Sequence, residues 1–330
     1  MNNSNRFYIL GALSLLCLIP LSGIGQDGGV INGPGARWGH VLKYDPGNDN
    51  LLLFGGTNKK GGEFLNDTWI WEANEWKKVN ATGPSPRGFC AVTFHKGRNT
   101  ILLHGGRGNG GVSYSDLWEW NGLSWNQLKS ISPFKADHHQ MVYINSQNAI
   151  LAFGGWNGED VMGDTWIWSD KWELQKIPSP PKRAAFSMTY NEKFNSVILY
   201  GGLWINGQYA DLWEWSNNKW KAMGDPYKNS SLDHHVMIYD KKLEEIIGFG
   251  GKNYRYVFQN ATFKLENNEI IIIDAGGPTA RHSFGFTYDT RENYGYLYGG
   301  KEYINEQQLP LDDFWRWDGE KWEAIPLKGK

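Results

Sequence analysis

Hydrophobic positions in this chain come in short runs separated by polar turns. Apolar stretches of four or five residues, such as 51–54, alternate with segments rich in Gly, Asn and Pro, and a second kind of segment puts Trp at every other position, as in Trp69-Ile70-Trp71. Period-two alternation between turn-forming residues predicts strands, and two Trp two residues apart share one face of a strand, where they can pack between neighbouring sheets.

The pattern repeats. Paired glycines follow an apolar run at Gly55-Gly56, Gly105-Gly106, Gly154-Gly155, Gly201-Gly202, Gly250-Gly251 and Gly299-Gly300, at spacings of 50, 49, 47, 49 and 49 residues. An aromatic triplet follows five of the pairs: Trp69, Trp71, Trp76; Trp118, Trp120, Trp125; Trp166, Trp168, Trp172; Trp213, Trp215, Trp220; Trp315, Trp317, Trp322. After the fifth pair, Phe263, Leu265 and Ile270 stand in their places. Each copy divides into four strands: one starting near an Arg or Asp (37–44 in the first copy), one ending in the double Gly, one carrying two Trp, and one begun by the third Trp. A four-stranded sheet of this size cannot bury both faces alone, and twisted sheets stacked around an axis close into a ring. The expected fold is all-β, a six-bladed β-propeller filling 37–330 with blades starting near 37, 87, 137, 183, 233 and 281. The first copy begins with its first strand and the last ends with its fourth, so closure is expected from blade six packing on blade one, with no exchanged strand.

Double Gly, a distal aromatic and Trp at this spacing resemble the kelch repeat. Within that family the chain is similar to exported bacterial proteins whose third strand reads like Asp211-Leu212-Trp213-Glu214-Trp215. The resemblance implies the propeller fold. It leaves function open, because kelch propellers include enzymes, adhesion domains and peptide-binding adaptors.

The first 25 residues read differently. Arg6 is their only charge, an apolar run covers 7–24 with Pro20 inside it, and Gly23-Ile24-Gly25 precedes Gln26. This predicts a cleavable secretory signal at 1–25, a short segment at 26–36, and a secreted or periplasmic protein without membrane insertion after cleavage. Cleavage would leave Cys90 as the one thiol, so no intramolecular disulfide supports the mature chain and stability must come from a large core. A net charge of −2 leaves no surplus for nucleic acid. Aromatics at 15% against 21% charged residues exclude disorder.

Fifteen of the 18 Trp fall on repeat positions, where packing between blades accounts for them, leaving Trp38, Trp156 and Trp204. Trp156 and Trp204 follow double glycines, in loops that with Tyr209, Tyr254 and Tyr256 can offer platforms to a sugar or a peptide side chain. The starts of the first strands align as Arg37, Arg87, Asp137, Arg183, Asp233 and Arg281. By resemblance this position lies at the mouth of the central channel, where family members often place ligand-contacting Arg. Two alternatives follow: ion pairs between blades, or a bipartite pocket. In the pocket, Arg281, Arg37 and Arg87 clamp a carboxylate or sulfate while Asp137 and Asp233 accept hydroxyl hydrogen bonds or meet a cation.

The triplets Asp137-His138-His139 and Asp233-His234-His235 allow either His138, His234 and His282 or His139 and His235 to converge, because consecutive strand residues face opposite ways. Blades three, five and six of a wide ring are too far apart for one zinc, so no metal and no cofactor is expected. Copper-oxidase chemistry lacks its ligands, and Cys90 is expected to be buried and inert. The expected role is a monomeric recognition module for a glycan or a protein or peptide partner, acidic if the Arg clamp operates, at Arg37, Arg87, Asp137, His138, Arg183, Asp233, His234, Arg281, His282, Trp156, Trp204 and Tyr254. The alternative is carbohydrate isomerisation at the same rim, by resemblance to the exported six-bladed sialic acid mutarotases. Whether the chain is an enzyme stays open.

Overall fold

A computed structural model describes residues 33–58, 62–130, 132–224 and 229–327; the expected signal at 1–25 lies outside the described residues. Six four-stranded antiparallel sheets are strung along the chain, each with its strands in sequence order. In blade one these are Val41–Asp45, Asn50–Phe54, Thr68–Glu72 and Glu75–Val79. The first strand of each blade is innermost. Val41–Asp45, Ala91–His95, Gln140–Ile144, Ser187–Asn191, Val236–Asp240 and Gly285–Asp289 pack side by side in turn, and the last packs against the first. All four strands of the final sheet come from the end of the chain, so the ring closes with no exchanged strand.

Hydrophobic burial is divided among the blade interfaces. Each of six buried clusters draws on two neighbouring blades; one joins Leu42, Leu53 and Trp71 of blade one to Tyr298 and Phe314 of blade six. The double glycines sit where these blades come closest. Gly55 and Gly56 have φ of 67° and 85°, and a Cβ on Gly55 would lie 2.4 Å from the Arg87 carbonyl oxygen of the next blade. Only glycine combines that left-handed backbone with that approach.

The six interfaces are of two alternating kinds, which the sequence reading did not anticipate. Where blade two meets one, four meets three and six meets five, the fourth-strand Trp donates its indole N–H to a buried Thr: Trp125 to Thr68, Trp220 to Thr165 and Trp322 to Thr262, at 3.0, 3.0 and 2.8 Å. At the other three interfaces a buried His packs against the residue preceding the double Gly: His40 on Tyr298, His139 on His104 and His235 on Tyr200, with ring centroids 5.7, 5.0 and 5.1 Å apart. Burial pushes His40, His104 and His235 down to about 3. These imidazoles are neutral packing elements at neutral pH. The sixfold backbone is therefore threefold in its buried side chains.

The expected first strand at 37–44 starts later, at Val41, because the preceding residues leave the sheet to build a collar around the axis. Trp38 exchanges both backbone hydrogen bonds with Thr57, the residue after its own double Gly, at 2.9 and 3.0 Å. The next residue, Gly39, reaches across to the neighbouring blades instead.

Candidate functional site

Six residues form a closed hydrogen-bonded ring at the loop face of the channel. The amide of Phe89 donates to the carbonyl of Gly39, His138 to Phe89, Ala185 to His138, His234 to Ala185, Ser283 to His234, and Gly39 back to Ser283, all at 2.7–3.3 Å. All six lie in the left-handed region, at φ of 53–66°. His138 and His234 stand two blades apart, yet their rings are 5.2 Å apart; Phe89 stacks on His138 at 4.0 Å and His282 meets His234 at 5.2 Å. Of the two alternatives for the histidines, His138, His234 and His282 are the set that converges. His139 and His235 turn into the blade interfaces.

This ring corrects the alignment of the rim. The carbonyls that receive the second Gly amide belong to Arg87, Ala136, Arg183, Leu232, Arg281 and Arg37, so Ala136 and Leu232 occupy the Arg position in blades three and five. Asp137 and Asp233 are one position further on, equivalent to Trp38, Gly88, Ala184 and His282. Matching these blades by charge alone places Asp137 and Asp233 one residue out of register.

The Arg clamp does not exist. Arg37, Arg87, Arg183 and Arg281 are buried, at 0–2% exposure, and each holds both oxygens of an Asp in its own blade: Asp67, Asp116, Asp211 and Asp313. Each Nη1 also donates to the carbonyl of the first paired glycine, at 2.9–3.1 Å. The same Asp accepts the N–H of the first triplet Trp at 2.7 Å, as Asp67 does from Trp69. Burial raises the carboxyls of Asp67 and Asp313, but hydrogen bonds and charge from Arg37 and Arg281 overcome it and hold both below the usual range. These are ties within a blade, neither a ligand clamp nor ion pairs between blades. Where the Arg is missing its partner is released or lost: Asp164 is exposed in blade three, and Ala261 stands in blade five.

Asp137 and Asp233 line the collar beside the imidazoles. His138 Nδ1 is 2.5 Å from Asp137 Oδ1, and His234 Nδ1 is 2.5 Å from Asp233 Oδ1. Ser113 donates to Asp137 at 2.9 Å, Gln208 to Asp233, and Lys252 Nζ stands 3.7 Å from Asp233. Burial raises Asp137, yet His138, Ser113 and the charge of Arg107 bring it below the usual carboxylate range. Burial lowers His234 against the pull of Asp233, and lowers His282 further, helped by His234, Lys301 and Lys252. Burial keeps His234 neutral, so with Nδ1–H given to Asp233 its Nε2 is a hydrogen-bond acceptor. Asp137, Asp233 and the His234 Nε2 give the mouth acceptors for N–H and O–H donors.

The aromatic residues flank this mouth. Trp156 is half-buried and paired through its backbone with Asp137; Trp204 is 39% exposed and set edge-on to Tyr209 at 4.7 Å. Tyr254 and Tyr256 are 61% and 75% exposed, and Ile205, Val257, Tyr303 and Ile304 extend the apolar arc over the loops of blades four to six. Trp38, by contrast, is buried under Lys301, 5.1 Å from its ring. Burial pushes the Cys90 thiol up to about 12, consistent with an inert residue. The sequence reading missed Phe89, Phe258, Lys252 and Lys301. The two lysines were legible, since each directly follows a double Gly, as Trp156 does.

A family model described as the KLHDC2/KLHL20/DRC7 Kelch-repeats domain matches residues 28–202, just over half of the chain. The chain belongs to the kelch-repeat family. The match runs from before the first blade to the double Gly of the fourth, and the remaining blades carry the same hydrogen-bonded collar. No curated protein matches the chain. Kelch propellers serve in general as protein-interaction modules.

Proposed function

We propose that this kelch protein is an exported recognition module that binds a polypeptide partner across the loop face of blades four to six. The observation that carries the reading is the set of exposed side chains Trp204, Ile205, Tyr254, Tyr256, Val257 and Tyr303 on the loops of blades four to six, with Tyr303 joined to the mouth through Phe258 and Tyr256 through Lys252. Large, half-rigid aromatic side chains beside satisfied polar groups are what a binding surface uses to gain area at low entropic cost. Export rests on the apolar segment at 7–24 and directs the module to the periplasm or beyond. The test is a peptide-library screen on the mature protein, followed by the triple variant Trp204→Ala, Tyr254→Ala, Tyr256→Ala. Selected peptides should lose at least 100-fold in affinity; retention within threefold places the partner elsewhere.

The Asp137–His138 and Asp233–His234 pairs favour a second reading, in which the ligand is a carbohydrate whose hydroxyls meet the carboxylates and Nε2 atoms, with proton transfer assisting ring opening. Anomer exchange followed by NMR separates the two. Acceleration that disappears in His234→Gln selects the isomerase; unchanged exchange leaves recognition.

A further inference from the structure

Beneath the imidazole ring lies a cavity of about 460 Å³ that follows the innermost strands to the opposite face. Its upper lining includes His40 and Cys90, each immediately after a ring residue, and none of the six ring residues themselves. Midway down, one structurally equivalent residue from each blade makes a layer: Lys43, Thr93, Val142, Thr189, Ile238 and Thr287. The layer obeys the threefold alternation, with Thr on blades two, four and six. On blades one, three and five the scaffold residue is Val or Ile, except that blade one carries Lys43.

Nothing in the scaffold requires that lysine. Burial alone brings its ammonium down to about 8, with no neighbouring charge contributing. Lys96, Lys241 and Glu192 line the lower end, where Lys241 lies 4.0 Å from Glu192, so the shaft has a positive excess. Thr287 and Thr93, on the blades flanking Lys43, accept the amides of Tyr44 and Tyr143 at 3.0 and 3.2 Å, which leaves each hydroxyl proton to be donated. Thr189 stands on the opposite blade.

We propose that the central shaft binds a small monoanionic carboxylate, with the Lys43 ammonium as its counter-charge and the hydroxyls of Thr93, Thr189 and Thr287 as hydrogen-bond donors. The volume falls in the range of small-molecule sites. At the threonine layer Lys43 is the one cationic residue lining the cavity, Lys96 and Lys241 lying at its lower end with Glu192, so a dianion such as sulfate held at that layer would keep an uncompensated buried charge. The aromatic layer below, including Tyr44, Tyr143 and Tyr239, suits the apolar remainder of a short organic acid. This site is independent of the loop face and opens on the other side of the ring.

Fluoroacetate followed by ¹⁹F NMR is the probe. The parent protein should broaden its signal saturably, unlabelled acetate should compete, and sulfate should compete at least tenfold less well. Lys43→Val, which installs the residue of blade three, should fold with an unchanged far-ultraviolet spectrum and abolish the broadening. Thr189→Val, which keeps the charge, should weaken it about fivefold, the worth of one hydrogen bond. Broadening that survives in Lys43→Val, sulfate competing as well as acetate, or no saturable broadening in the parent overturns the proposal.

Discussion

The amide of Gly39 donates to the carbonyl of Ser283 at 2.8 Å, and this contact joins the first blade to the last. It is the sixth bond of a ring whose other five connect neighbours in sequence order. The propeller thus closes through a backbone circuit at its axis as well as through the apolar cluster between blades one and six.

Gly39 is the ring's one glycine, and a Cβ there would lie 2.7 Å from the Phe89 ring while forcing an L-residue to φ of 66°. Gly39→Val should cost about 1–3 kcal/mol from backbone strain, with further loss from the clash. Urea denaturation of parent and variant measures it; an unchanged midpoint would show that ring closure does not support the fold.

Arg37 is buried, and its pair with the partly exposed Asp67 is one of the four ties. Asp67→Ala leaves a guanidinium at 2% exposure without its carboxylate and should cost about 3–5 kcal/mol. Blade five shows the remedy, because Leu232 and Ala261 occupy the two positions. The double variant Arg37→Leu, Asp67→Ala should recover most of the loss in a double-mutant cycle. A double variant less stable than Asp67→Ala refutes the equivalence of the blades.

Acid should loosen the same ties. The folded-state pKa values of Asp67 and Asp313 lie below those of the unfolded chain, so the unfolded state takes up protons first as pH falls. Their contribution is complete above the unfolded carboxylate pKa of about 4 and is lost as pH falls through the folded values. Unfolding midpoints between pH 6 and 2 should drop more steeply in the parent than in a variant with Leu and Ala at both pairs.

The Trp–Thr bonds of the alternating interfaces are neutral and buried. Thr68→Val leaves the Trp125 indole N–H without its partner and should cost about 1–3 kcal/mol, with similar costs for Thr165→Val and Thr262→Val. Calorimetric melting of the three variants checks this, and one unaffected variant would break the threefold scheme.

Lys43 gives a base-side signature. Its folded pKa of about 8 lies below the unfolded 10.5, so between those values the unfolded chain holds more protons and stability rises with pH. Lys43→Val should therefore be more stable than the parent at pH 7 without added carboxylate, and the gap should narrow by pH 10. Lys96, Lys241 and Glu192 also face the shaft and are common to both proteins, and His40 above stays neutral throughout. A gap that widens with pH contradicts a desolvated ammonium.

Blade number, strand order and closure without exchange were all legible from the sequence, because double Gly, Trp spacing and period-two alternation are local consequences of building one sheet six times. The site was legible only in part. Arg37 and Asp67 are 30 residues apart, and a guanidinium at a channel mouth and one tied to a carboxylate within its own blade look identical along the chain. The slip at Asp137 and Asp233 has the same origin: aligning by charge could not see that Ala136 and Leu232 take the Arg position, which only the ring of backbone bonds reveals. His138, His234 and His282 could be named as a converging set but not chosen over His139 and His235, since the choice depends on backbone turns held by hydrogen bonds between blades. Sequence periodicity determined the repeat. Packing across blades decided that its interfaces alternate, that four arginines are structural, and that Lys43 stands in a layer otherwise made of Thr, Val and Ile.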